Sequence, residues 1–289
     1  MWPPDESQQQ EPREGEDGVA GVLGPLLPAQ ALRGSALFVT AHPGDAVRGA
    51  SWLLRRSSHA HVVHVTERAS GDDTFAAPDT PEAHARLSEQ ASFEALSLAG
   101  LGPERLLSLG TMERTASEEL VPLTECLVAL LKALRPTLLV VHPYEGGHPD
   151  HDAAAFISHA AVALLVRGGR TPPSLLEMAV PACGHLGLHP FGFQSTLDDQ
   201  PVASVALSAG DRALKQRMLA CHASPGWDSG SAPSAPEHYR LAPRYDFTRP
   251  PRAGRLLYEV PTPGMTAVRW RRLARRALEQ LKLTEASAH

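Results

Sequence analysis

Along the chain, short β-branched and leucine-rich runs alternate with segments whose apolar positions recur at helical spacing. Leu37-Phe38-Val39, inside the run Ser35 to Ala41, predicts a first strand. Val47, Ala50, Ser51 and Leu54 then fall at i, i+3, i+4 and i+7, one face of a helix. Val62 to Thr66 predicts a second strand. Thr80-Pro81 supplies an N-cap and a first-turn proline for a helix striped by Leu87, Ala91, Ala95 and Leu98 and ended by Gly100. A strand over Arg105 to Leu109 follows, and then a helix marked by Leu123, Leu127, Leu130, Leu131 and Leu134, closed by Arg135-Pro136. Thr137 to Val141 is a fourth strand. Phe156, Ile157, Ala160, Ala161, Leu164 and Leu165 stripe the helix that Gly168-Gly169 stops.

This alternation predicts an α/β fold, a Rossmann-like doubly wound and mostly parallel sheet with helices on both faces. In the strand order 3-2-1-4-5, strands 1 and 4 are neighbours, and ligands bind in the crevice beyond their carboxyl ends. Beyond residue 180 the pattern loosens. Ala203 to Leu207 reads as a strand, Ser208 with Asp211 as a helix start running to about Cys221, 223–236 as a Ser/Pro/Gly loop, and Arg255 to Val260 as a final edge strand. Trp270, Leu273, Ala277 and Leu281 stripe a terminal helix. Its other face carries Arg269, Arg271, Arg272, Arg275 and Arg276 and is expected to be solvated.

Composition then narrows the function classes. Residues 1–30, rich in Gln, Glu, Gly and Pro, are expected to be a flexible acidic tail, leaving 31–289 as a single domain. Residues 1–20 hold six acidic groups against one arginine, which accounts for the whole formal charge of −5 and leaves the remainder neutral. A neutral body lacks the field that draws nucleic acid or an anionic membrane. No basic segment followed by an apolar core opens the sequence, and no run is long and apolar enough to span a bilayer, so a cytoplasmic location is expected. Cys126, Cys183 and Cys221 are far apart without a CxxC pair, which points to core residues rather than disulfides or a cysteine zinc site.

The chemistry concentrates where strands 1 and 4 end. Ala41-His42-Pro43-Gly44-Asp45 follows the first and His148-Pro149-Asp150-His151 the second, each leading into a helix. His42, Asp45 and His151 supply two imidazoles and a carboxylate, a three-ligand set that leaves a fourth position on zinc open for water. His148, one turn before His151, faces the same pocket. His59, His61 and His64 read as surface or packing residues, and Tyr144 and Glu145 as either pocket lining or loop structure. Neither GxGxxG nor GxSxG is present, which argues against a nucleotide fold and a serine hydrolase.

These residues resemble the PIG-L/LmbE-like family of zinc-dependent de-N-acetylases. The family's AHPDDE stands here as Ala41-His42-Pro43-Gly44-Asp45-Ala46, and its HPDH is intact at 148–151. Weaker likeness covers Arg86 with Glu89, and Lys215 to Ser224, so the match spans about residues 35–225. The resemblance implies a Zn²⁺ or other divalent ion on His42, Asp45 and His151. It further implies His148 as oxyanion stabiliser or acid, oriented by Asp150, and an N-acetylated amino sugar or conjugate as substrate. The family's general-base aspartate is Gly44 here, and its following glutamate is Ala46. Glu67, Asp72, Asp73 and Glu145 lie on loops that reach toward the pocket and could replace the base. A de-N-acetylase of reduced activity is therefore expected, with a catalytically silent member that binds a sugar-like ligand or a partner as the alternative.

Overall fold

The computed structural model describes residues 15–57, 59–67, 81–180, 192–193, 200–222, 235–259 and 264–284. The central strand β1 (Ala36–Thr40) is buried along its whole length. In parallel beside it run β2 (His61–Glu67) and β4 (Leu138–Val141), with β3 (Leu106–Met112) beyond β2 and β5 (Ser174–Met178) beyond β4. This is the order 3-2-1-4-5, and the continuous apolar runs of β1 and β4 suit strands covered on both faces. Outside β5 the sheet becomes antiparallel, first β7 (Glu237–Leu241) and then β6 (Val202–Val205).

One face of the sheet is covered by α1 (Gly15–Leu23), α3 (Asp45–Arg55), α4 (Pro81–Leu98) and α7 (Ala209–Cys221). The other is covered by α5 (Leu120–Leu134), α6 (Pro149–Arg167) and α8 (Ala267–Gln280). Helix α3 is wedged so tightly between sheet and α7 that Trp52 and Leu53 are buried along with its predicted apolar face. Gly49 is what permits the approach, because a Cβ there would lie 2.9 Å from Val180 Cγ2 and 3.1 Å from the Ala179 carbonyl oxygen. Among the described residues, no helix is long and apolar enough to cross a membrane.

Several expectations change. Residues 1–14 lie outside the described residues, but the rest of the expected tail is built into the fold. Val19, Val22, Leu23, Leu26 and Leu27 repeat at helical spacing, and α1 with the turn α2 (Ala29–Arg33) packs them into the core. In the expected edge strand Arg255 to Val260, the described residues 255–259 form no strand. Residues Leu257–Glu259 form a 3-10 turn whose Leu257 N–H bonds the Gly146 carbonyl, and Glu259 receives the Leu256 and Ala267 amides. Strand β7 falls instead within EHYRL, where buried Glu237 and Arg240 mask any apolar alternation. Leu87 is exposed, and α4 buries Ser92, Ala95 and Leu96. Cys126 is exposed on α5, between the buried Leu123 and Leu127, and Cys221 is half-buried. Thr80, Cys183 and most of the 223–236 loop lie outside the described residues.

Candidate active site

The first loop turns sharply after β1. Gly44, at φ +91°, takes the left-handed conformation that glycine tolerates best and caps α3. Asp45 is then the first residue of that helix, buried to 1% exposure, and its Oδ2 receives the His42 N–H at 2.9 Å. The second loop follows β4. His148 caps α6 with its ring, Nδ1 accepting the Asp150 N–H at 3.2 Å, and Pro149 fills the first helical position. Both helix N-termini point at the pocket, where their dipoles favour the carboxylates of Asp45, Asp150 and Asp152.

The sequence-expected residues come together. Asp45 Oδ2 lies 3.3 Å from His42 Nδ1 and 3.4 Å from His151 Nε2. His42 stands edge-on to His148, ring centroids 4.6 Å apart, and 5.2 Å from His151. Asp150 meets both His42 and His148. Its Oδ2 lies 3.2 Å from His42 Nε2 and accepts the Arg114 N–H at 2.6 Å, while His148 Nδ1 is 3.9 Å away. It is the amide of Asp150, not its carboxylate, that orients His148. Arg114 reaches Asp150 from the loop after β3 at φ +68°, a strained conformation for a side-chain-bearing residue.

Charge is distributed unevenly over these groups. Burial favours a neutral Asp45, but the surrounding imidazoles, His151 first, hold it well below the usual carboxylate range. Burial likewise disfavours a charged His42, yet the hydrogen bonds and charges of Asp150 and Asp45 outweigh it and push the imidazole up to about 10. His151 goes the other way, lowered to about 4 by burial and by His142, and His148 falls to about 3 by burial and the neighbouring His42 and His151. His151 and His148 are therefore neutral at pH 7. With Nδ1 of His148 accepting a backbone hydrogen bond, its proton belongs on Nε2.

Three groups in this pocket have only weak signatures in the sequence. His142, fully buried, accepts the Ala41 N–H on Nε2 at 3.0 Å and so ties the ends of β1 and β4 together. Its place directly after an apolar strand was the available sign. His64, read as a surface or packing residue, is buried in the middle of β2, where burial above all lowers it to about 3. Asp152 takes the Glu145 and Gly146 amides at 3.2 and 3.0 Å and folds the loop between β4 and α6; burial raises it to about 8. Tyr144 is buried in an aromatic cluster with Tyr245, Phe247 and Trp270, and its hydroxyl donates to the Arg249 carbonyl oxygen at 2.8 Å. Glu145 lies 3.7 Å from the Arg240 guanidinium, Glu67 accepts the Ser108 hydroxyl, and Asp72 and Asp73 lie outside the described residues. Arg86 and Glu89 are exposed on α4.

The donor set fits a small divalent cation. Ligand atoms about 2.1 Å from a tetrahedral zinc ion are roughly 3.4 Å from each other, and both Asp45 distances match that spacing. Among the described residues, candidate ligand atoms of His42, His148 and His151 lie within 4.8 Å of one another, as do those of Asp45, His142 and His151. His142 is the poorer ligand because Ala41 already occupies its Nε2 lone pair. Two buried carboxylates here share one protonated imidazole, and a dication would supply the positive charge that His42 now provides.

Known proteins share this arrangement at the level of the fold. The deacetylase triple mutant (Orf2*T) of the teicoplanin biosynthetic pathway superposes with a TM-score of 0.54 at 16% identity, over 73% of this chain and 99% of that one. The N,N'-diacetylchitobiose deacetylase from Pyrococcus horikoshii, complexed with its inhibitor MPG, superposes with a TM-score of 0.52 at 15% identity, over 78% and 90%. A deacetylase–teicoplanin complex gives 0.51 at 12% identity, over 72% and 97%. No curated protein matches the chain in sequence. The family model described as GlcNAc-PI de-N-acetylase, PIG-L, matches residues 37–162, a span that contains both motif loops. Over residues 37–162 the chain is therefore similar to the PIG-L de-N-acetylase family.

Proposed function

We propose that this protein is a metal-dependent amidohydrolase, a zinc-dependent de-N-acetylase of an N-acetylglucosamine-type amino sugar or conjugate. The observation that carries this reading is the meeting of His42, Asp45, His148 and His151 at the ends of two adjacent strands of a PIG-L-like domain. Similar structures include deacetylases of teicoplanin biosynthesis and of N,N'-diacetylchitobiose, which supports an acylated amino sugar as the substrate class.

His42, Asp45 and His151 would hold the ion. When bound, zinc supplies a Lewis acid for the acyl oxygen and lowers the pKa of water from about 15.7 to about 7. Asp45 contributes a fixed negative charge, and neutral His151 a free lone pair. His148, with its proton on Nε2, donates a hydrogen bond to the acyl oxygen as charge develops there. Asp150 positions both imidazoles, His148 through its amide and His42 through its carboxylate.

The test is acetate release from a panel of N-acetylglucosamine conjugates, run beside zinc content. The native chain is expected to bind one zinc ion and release acetate, and the His42→Ala/His151→Ala variant to lose both. A double variant that keeps its zinc overturns the ligand assignment. Gly44 and Ala46 favour a second reading, a sugar-binding member without turnover. Saturable binding of an N-acetylated sugar with no acetate released distinguishes it.

A further inference from the structure

The bare face of Gly44 is covered by a histidine. A Cβ placed on Gly44 would lie 3.4 Å from Cγ, 3.5 Å from Cδ2 and 3.6 Å from Nδ1 of His222, ordinary van der Waals contact with one edge of the ring. His222 caps the C-terminus of α7 and is half-buried. Gly44 lies in the loop that carries His42 and Asp45, so the ring stands against the wall of the same pocket.

This placement is enforced by a buried network. Lys215, at 1% exposure, gives its ammonium to Glu237 Oε1 at 2.8 Å. The same carboxylate receives the Ser51 hydroxyl at 2.6 Å, the Trp52 N–H at 3.1 Å and the Tyr239 hydroxyl at 2.7 Å. Trp52 can make that bond because α3 kinks at Ala50 (φ −148°, ψ 29°), which frees its amide from the helical ladder. Lys215 and His222 are seven residues apart, two turns along one helix face. The network that locks Lys215 to α3 thereby seats His222 over the residue where α3 begins.

We propose that His222 is a catalytic residue of this site, the group that accepts the proton of the attacking water. The proposal rests on the deacylase reading above. Water's oxygen bonds to the acyl carbon as its proton passes to an unprotonated nitrogen of His222. His148 Nε2–H holds the developing oxyanion by a hydrogen bond, and His222 passes the proton it took from water to the departing nitrogen as the C–N bond breaks, so one amide and one water become one carboxylic acid and one amine. Glycine at position 44 leaves the room in which the ring can stand.

The test compares native protein with His222→Gln and His222→Ala, all zinc-loaded. Both variants are expected to lose about 10²–10⁴-fold in kcat, with KM and bound zinc within twofold of native. Added imidazole is expected to restore His222→Ala at least tenfold and to leave His222→Gln unchanged, because glutamine fills the space. A second reading needs no turnover: the His222 ¹⁵N imidazole signals, assigned by their loss in His222→Gln, are expected to shift when zinc is added. If His222→Gln turns over within threefold of native, or the signals ignore zinc, this inference fails while the deacylase reading stands. If the native protein releases no acid from any substrate, the deacylase reading fails and takes this inference with it.

Discussion

The parallel half of the sheet and its antiparallel edge hold the pocket by opposite means. Strands β1 and β4 are buried runs of Ala, Leu, Phe and Val, and the loops bearing His42 and His151 stand on that apolar base. Strand β7 instead buries Glu237 and Arg240. Glu237 meets Lys215, and Arg240 pairs with Glu177 at 2.7 Å. Apolar packing tolerates small errors of shape, whereas a buried ion loses most of its compensation when its partner is removed. The loops bearing His42 and His151 therefore stand on a forgiving platform and His222 on an unforgiving one.

The sharpest way to break that contrast is Lys215→Met, which leaves the Glu237 carboxylate buried without its cation. A loss of about 3–5 kcal/mol is expected, read as a lowered urea midpoint. Adding Glu237→Gln is expected to recover part of it, because the amide oxygen can keep accepting from Trp52 and Tyr239 while its NH2 group donates to the Ser51 hydroxyl oxygen, without the charge. In the apolar half, Leu139→Ala would cost a similar 2–5 kcal/mol, but no neighbouring charge change would recover it. A Lys215→Met/Glu237→Gln chain no more stable than Lys215→Met would show that packing, and not charge, anchors α7.

The next largest effect tests the platform's cargo. His148→Gln leaves the N-cap of α6 and the apolar base in place, so zinc content and stability are expected to hold. It removes the imidazole donor, and kcat is expected to fall about 10²–10³-fold with KM little changed. A variant with native kcat would reduce His148 to a capping residue.

The same contrast explains what was legible in the sequence. Periodicity finds apolar strands and stripes, so β1 to β4, α5 and α6 are readable, and adjacency of strands 1 and 4 follows from the doubly wound order. His42, Asp45, His148 and His151 are readable because strand ends of such a sheet are where chemistry gathers. EHYRL is not readable as a strand, because its charges become buried only when Lys215 and Glu177 arrive from other parts of the chain. His222 is hidden for a related reason. Its importance depends on a tertiary lock seven residues upstream and on a glycine 178 residues away in sequence. The Arg114 amide contact to Asp150 likewise leaves no side-chain signature. Residues 15–27 show a failure of another kind, since composition obscured a helical pattern that was present at Val19, Val22, Leu23, Leu26 and Leu27.

The smallest expected effect falls where the two regions touch. Gly44→Asp places a side chain at φ +91°, where aspartate is among the better-tolerated residues and the strain is about 1–2 kcal/mol. Its Cβ would meet His222 at 3.4 Å, so the carboxylate must share the space that the ring now fills. If His222 takes the proton of the attacking water, introducing the carboxylate displaces one base to install another, and kcat of the variant is expected to stay within about tenfold of native, at or below it. A gain of 10²-fold or more would mean that the pocket lacked a base and that His222 only fills the space beside Gly44. Combining Gly44→Asp with His222→Ala sharpens the result: the double variant is expected to recover turnover lost by His222→Ala alone, because either group then serves the same proton.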